Sequence, residues 1–204
     1  MDTADKLAEI FKEFPGIGER QAKRFVYFLM SRHGSYAENL SMLNSDLKKE
    51  VSQCKECFRF FVFKNAHDKV CDICENPHND KTLLMVVEKD SDFESVRKSR
   101  TYHGKYFILG GLVPIVEKTT KSRVRVNELI EKIKKEQTDI QEIILAFSLS
   151  PQGDHTDFYI RNQIKDICES SNVKISSLGR GLSTGTELEY SDNETLKNAL
   201  KNRQ

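Results

Sequence analysis

The chain has 204 residues, with 32 Lys and Arg against 31 Asp and Glu and a formal net charge of +1, so overall charge selects neither a polyanionic nor a polycationic partner. Hydrophobic residues are 38% and charged residues 31% of the total, which fits a rather polar globular protein with one good core or two or three small ones. No apolar run approaches the roughly 18 residues of a membrane span, and the acidic, amphipathic start MDTADKLAEIFKEF is unlike a secretory leader, so a cytoplasmic protein with no membrane partner is expected.

Leu7, Ile10 and Phe11 recur at helical spacing and predict a first helix over residues 3–13. Phe14-Pro15-Gly16-Ile17-Gly18 interrupts the pattern, and a second helix is predicted from about Glu19, with Ala22, Phe25, Val26 and Leu29 on its buried face. Pro and two Gly make a tight turn that presents backbone N–H groups at the start of that helix, a geometry suited to phosphate. Arg20, Lys23 and Arg24 follow within two turns, and no acid falls between Arg20 and Arg32. The stretch FPGIGERQAKRF resembles a helix-hairpin-helix motif, which grips a nucleic-acid backbone without reading bases. Gly16, Gly18, Arg20, Lys23 and Arg24 are therefore the expected DNA contacts. The competing reading makes the same hairpin a docking tip through Phe14 and Ile17.

A third helix is predicted over residues 36–52, with Leu40, Leu43, Leu47 and Val51 on one side. It runs into two Cys-x-x-Cys pairs, Cys54/Cys57 and Cys71/Cys74. Such a turn lets two sulfurs approach one cation, and a second turn completes a tetrahedron, so one structural zinc per chain is expected, closed to substrate. Four ordinary buried thiols or two disulfides are the alternatives; the first does not account for matched pairs, and the second fits poorly with a reducing compartment. Phe58, Phe60, Phe61, Val62 and Phe63, interleaved with Arg59 and Lys64, are expected to fill the small core of this knuckle rather than stack on bases. His67 and His78 are surplus once four thiolates are counted.

After Pro77, Leu83-Leu84-Met85-Val86-Val87 is a continuous apolar run ending in Glu88, the pattern of a strand buried on both faces of a parallel sheet. Ser91-Asp92-Phe93-Glu94 is expected to form a capping box that opens a helix reaching about Arg100. Strands at 106–109, 142–147 and 173–178 and helices at 126–135, 158–169 and from about Asn193 complete an α/β alternation with a parallel sheet. Ligands of such sheets bind at the C-terminal strand ends, where Glu88, Gly110-Gly111 and Pro151-Gln152-Gly153-Asp154 fall. Between Arg97 and Arg125 eight Lys or Arg face one acid, Glu117, a local excess that either holds phosphates or coats a solvated loop. Cys168 reads as a buried thiol. The Gly-rich loop 179–185 lacks the Gly-Lys-Ser/Thr ending of a phosphate-binding loop and reads as a structural turn.

A hairpin, a four-cysteine knuckle and a Glu-ended strand follow one another in that order. With LLMVVEKDSDFESV, YHGKYFILGGLVP, EIILAFSLSPQGDHT and LGRGLSTGTELEYSDNETLKNAL, the chain resembles the RecR family of bacterial recombination proteins over most of its length. The resemblance implies a helix-hairpin-helix region at 1–53, a four-cysteine zinc finger at 54–77, a Toprim domain at 78–172, and a Walker-B-like segment with a swapped helix at 173–204. It further implies a non-catalytic tetrameric ring that encircles DNA without sequence preference near the nucleoid. Such a ring works with RecO, and in many bacteria RecF, to promote RecA loading, with Glu88 and Asp154 in a partner-binding Toprim cleft.

Two departures stand out. Where the family typically has Glu-Gly-Glu-Ala-Thr, this chain has Gln152-Gly153-Asp154-His155-Thr156, and an acidic turn gives way to the basic residues 117–123. A Toprim enzyme acting on phosphodiesters needs a Glu and two acids that hold magnesium, and Gln152 cannot supply a charge; Asp90 and Asp92 are the acids near enough in sequence to substitute. The third reading is a zinc-containing adaptor that holds a protein partner and never touches DNA.

Overall fold

The structure is a computed structural model that describes residues 1–63, 65, 69–115, 124–179, 181, 182, 185 and 187–201. The basic stretch 117–123, His67, and Arg180, Ser183 and Thr184 of the Gly-rich loop lie outside the described residues. The chain divides into two compact units, Met1–Val51 and Ser52–Gln204. No helix among the described residues is long and apolar enough to cross a membrane.

The first unit is helical: α1 (Thr3–Lys12), α2 (Glu19–Met30) and α3 (Gly34–Glu50). Asp2 and Asp5 cap α1 reciprocally, the Asp5 N–H donating to Asp2 Oδ1 at 2.8 Å, a device the acidic start conceals in sequence. Helices α1 and α2 bury Ala8, Ala22 and Val26 with Leu7, Phe11 and Ile17 packed around them, and Phe11 meets Phe25 edge-on at 5.7 Å. Small residues at the centre let the two helices approach closely, so the turn between them is short. No residue of α3 is buried, and Leu40, Leu43 and Leu47 of its apolar side are all exposed.

The second unit holds the short strands β1 (Val51–Gln53), whose first residue is the last of the first unit, and β2 (Phe60–Val62), the helical turn α4 (Asp72–Glu75), and an α/β layer. That layer comprises β3 (Asp80–Val87), α5 (Asp90–Ser99), β4 (Gly104–Ile108), α6 (Val126–Glu136), β5 (Glu142–Ala146), α7 (Pro151–Ser170) and β6 (Lys174–Ser177), followed by α8 (Asn193–Lys201). The sheet is parallel throughout, in the order β4-β3-β5-β6. Alternation along β3 explains its unbroken apolar run: Leu84 and Val86 enter a core with Leu129, Ile133, Ile160 and Ile164, while Met85 and Val87 enter another with Phe93 and Tyr106.

Two sequence expectations are corrected here. The capping box at Ser91 and Glu94 does not form: α5 starts at Asp90, two residues before the Asp92 start that a Ser91 cap requires, its N-cap Lys89 makes no side-chain cap, and Glu94 pairs with Arg97 at 3.5 Å instead. Helix α7 begins at Pro151, not Phe158, because Ser150 caps it by accepting the Gly153 N–H at 3.1 Å and Pro151 suits the first turn. Gln152 and Asp154 therefore sit on the first turn of a helix. Gly153 is required there, since a Cβ would lie 2.0 Å from the Ser148 carbonyl oxygen.

Lys105 of β4 and Lys132 and Glu136 of α6 form a partly buried charge network, with Lys105–Glu136 at 2.9 Å and Lys132–Glu136 at 2.8 Å. Burial alone would raise the Glu136 pKa, but the hydrogen bonds and charges of Lys132 and Lys105 outweigh it and hold the carboxyl below its ordinary value of 4.5. A depressed carboxylate contributes stability above its unfolded pKa and loses it as pH falls through the folded one. Glu136→Gln is expected to cost about 2 kcal/mol at neutral pH and to flatten the acid side of the stability profile. Urea unfolding from pH 7 to pH 3 measures both effects.

Candidate functional site

The four cysteines converge. Cys54 and Cys57 lie on the turn between β1 and β2, where the Phe58 N–H donates to the Cys54 carbonyl at 2.9 Å and the Cys54 N–H to the Arg59 carbonyl at 2.9 Å. Cys71 is the N-cap of α4 and Cys74 lies in that turn of helix. All four Sγ atoms lie within 4.8 Å of one another, none is in a disulfide, and three are buried with Cys74 half-buried. A tetrahedron of metal–sulfur bonds of about 2.3 Å has edges of about 3.8 Å, and Cys57 Sγ lies 3.7 Å from Cys71 Sγ. The set can hold a metal ion, and four protein sulfurs leave no coordination position open. Four thiols this close cannot all ionise beside one another without a compensating charge, and a shared cation favours the thiolate at every position.

The residues between the two cysteine pairs do more than fill a core. The Cys57 carbonyl accepts the Ile108 N–H of β4 at 2.8 Å. Phe58, in left-handed backbone at φ 62, meets Phe107 edge-on at 5.3 Å, and the Arg125 guanidinium lies over its ring. Arg59 is buried over Phe93 and bonds Asp72 at 3.3 Å; the Phe60 N–H donates to Asp90 Oδ1 at 2.8 Å; Glu56 pairs with Lys132 at 3.2 Å. Five consecutive residues thus fasten the knuckle to the sheet. The filling expectation holds for Phe61 and Phe63, which pack with the cysteines; Phe58 packs into the sheet core instead, and Phe60 and Val62 point outward, at 58% and 63% exposure.

Strand order fixes the other site. From β3 the chain crosses to β4 on one side, while β5 pairs on the other, so the switch point lies between the C-terminal ends of β3 and β5. Glu88 follows β3, its side chain 19% exposed with Lys89 Nζ at 3.9 Å. Asp154 follows β5 on the first turn of α7 and, with Ser148, Gly153, Asp157 and Ser177, lines a cleft of about 160 Å³. The structure brings Glu88 and Asp154 to the same sheet edge. It engages Asp90 elsewhere, on the Phe60 N–H. Thr156 is a residue the sequence reading passed over: fully buried, it accepts the Val113 N–H at 2.9 Å and donates to the Gln152 carbonyl at 2.8 Å, pinning the loop after β4 to α7.

In the first unit, Gly16 takes φ +77 in the turn and Gly18 is the N-cap of α2, whose start no side chain caps. Arg20, Lys23 and Arg24 are exposed. Lys23 is tied to Glu19 at 2.8 Å, an i,i+4 pair that raises the lysine and lowers the glutamate pKa and that sequence reasoning missed by starting its tally at Arg20. Phe14 of the alternative docking tip is half-exposed, and Ile17 packs against the helical core.

Comparison with known proteins gives a consistent result. The Toprim domain family model matches residues 83–178, and the RecR C-terminal model matches residues 181–204. The recombination protein RecR of Amoebophilus asiaticus is 35% identical over 93% of this chain and 89% of its own length. Those of a Cyanothece species and of Legionella pneumophila are 32% and 33% identical, over 97% and 100% of this chain and 93% and 96% of their own.

The cysteine geometry predicts one tightly held metal per chain. Cys54→Ala or Cys71→Ala is expected to abolish it and to destabilise the second unit, whereas Cys168→Ala, at a buried thiol whose pKa burial raises to about 11, retains the metal. Elemental analysis of the purified variants, paired with thermal unfolding, decides the matter.

Proposed function

This chain belongs to the RecR family of recombination proteins, and on that premise we propose that it is a non-catalytic DNA-binding clamp of recombinational repair. The observation that carries the reading is the hairpin. The uncapped start of α2 follows a Gly16 turn, with Arg20, Lys23 and Arg24 exposed beside it, so free backbone N–H groups and cations face outward together. Such a surface holds phosphates and reads no bases. In this reading residues 1–53 contact DNA, residues 54–77 form the zinc finger, residues 78–172 the Toprim domain, and residues 173–204 carry the swapped helix that joins copies into a ring of four.

Zinc is the ion we assign to Cys54, Cys57, Cys71 and Cys74, because it favours four-thiolate tetrahedra. Bound there it supplies a crosslink and no reaction. The carboxylate edge with Glu88 and Asp154 is assigned to a protein partner, RecO and in some settings RecF, through which the ring promotes RecA loading.

The absence of phosphodiester chemistry is supported by the chemistry of two side chains. Gln152 is an amide where a carboxylate would hold magnesium through oxygen, and Asp90 is engaged by the Phe60 N–H. Incubation of plasmid and gapped DNA with Mg²⁺ or Mn²⁺ is expected to leave both intact; product that vanishes with Glu88→Ala would establish an enzyme instead.

Replacing Arg20, Lys23 and Arg24 together by Ala is expected to weaken DNA binding and to reduce the slope of log K against log salt by about two to three, since each neutralised phosphate contributes about 0.9. Unchanged binding would make the hairpin a docking element only. A clamp is further expected to stay on closed circular DNA at high salt and to slide from linear ends, where a patch binder treats both alike.

A further inference from the structure

The structure sorts the eight basic residues between 97 and 125 by what each already does. Lys105 is held by Glu136 at 2.9 Å. The Arg125 guanidinium donates to the Ile108 carbonyl at 3.0 Å and covers Phe58. Lys118, Lys121 and Arg123 lie outside the described residues. Arg97, Lys98 and Arg100 remain, all exposed, at the end of α5 beside the edge strand β4. Arg97 has one partner, Glu94 at 3.5 Å, with its side chain still 47% exposed. Lys98 and Arg100 form no ion pair among the described residues.

Cations in a last helical turn are favoured by the helix dipole, which accounts for Arg97 and Lys98 without any ligand. Arg100, the C-cap, shares that stabilisation, but the dipole does not account for the way the loop from Arg100 to His103 is built. Arg100 turns the chain in left-handed backbone at φ 55. Ser99 Oγ donates to the Val96 carbonyl at 2.6 Å and lies 2.7 Å from Thr101 Oγ1. The His103 carbonyl accepts the Asp80 N–H at 3.0 Å, and Tyr102 Oη donates to the Lys105 carbonyl at 2.8 Å. Gly104 leaves the space that the Tyr102 side chain fills, as a Cβ there would meet its hydroxyl oxygen and Cζ at 2.4 and 2.6 Å. Of the two acids bonded into this corner, Glu94 pairs with Arg97, and Asp80 spends its carboxylate on the Thr82 N–H and hydroxyl at 2.8 and 2.6 Å. Fixed backbone therefore presents Lys98 and Arg100 with no ion-pair partner among the described residues. Along α5 the charges are separated, with Asp90 and Asp92 at the Glu88 end and the cations at the other.

We propose that this corner of α5 and β4 is a second contact for the DNA backbone, with Lys98 and Arg100 each neutralising a phosphate and Arg97 and His103 flanking them. It rests on the reading of the chain as a DNA binder. It places nucleic acid at the sheet edge opposite Glu88 and Asp154, so that the carboxylate edge stays clear of phosphate repulsion.

The test is the full chain carrying Lys98→Ala and Arg100→Ala, compared with wild type and with the Arg20, Lys23 and Arg24 triple variant in salt titrations of duplex binding. The corner variant is expected to keep the wild-type melting temperature, to lose roughly ten-fold in affinity near 100 mM salt, and to lower the salt slope by about two. Replacement by Glu should lower affinity further. A corner variant with the wild-type slope, beside a triple variant with a reduced one, overturns the proposal and leaves the hairpin as the contact. A reduced slope in the corner variant alone supports the proposal and removes the hairpin. A wild-type chain without salt-dependent binding overturns both.

Discussion

The second unit depends on one short segment being held from both sides. Residues 56–60 are fixed at one end by sulfurs that converge from two turns, and at the other by contacts to β4, α5 and α6. A knuckle of this size buries too little apolar surface to define its own shape, and the convergence of Cys54, Cys57, Cys71 and Cys74 supplies the missing constraint. Phe58 shows how tight the arrangement is. A left-handed residue next to a Cys-x-x-Cys turn is most easily glycine, yet an aromatic ring is needed there to reach Phe107. The contact to the sheet outweighs the backbone preference.

The α/β alternation, the four convergent cysteines and the hairpin were legible because each carries a local signature: an apolar run of fixed length, a repeated spacing, a Pro-Gly turn. What escaped the sequence is what depends on neighbours distant in the chain. The attachment of the knuckle to β4 and α5 involves partners 30 to 51 residues away and no motif. The start of α7 was obscured because Pro, Gly and Asp read as loop residues, although Ser150 before Pro151 is a cap signal. The expected box at Ser91 failed because the chain enters α5 directly from the strand end, two residues too early for that serine to cap it.

The motif around Gln152 divides by function. Its charged positions vary from the family pattern, while Gly153 and Thr156 have no latitude: one faces a carbonyl at a distance no Cβ tolerates, and the other ties α7 to the loop after β4. The scaffold of the cleft is thus separable from its charge. The charge at the sheet edge can therefore change without moving the edge.

The sheet partners of the knuckle also set an order of events during synthesis. Cys74 leaves the ribosome well before Ile108, whose N–H the Cys57 carbonyl accepts, and before Lys132, which Glu56 awaits. The loop from Cys54 to Cys74 is short and cheap to close, while the contacts that orient it are long-range and slow. The loop from Cys54 to Cys74 can therefore close in a nascent chain that has no sheet to lean on, and the sheet later assembles against a turn pair already formed.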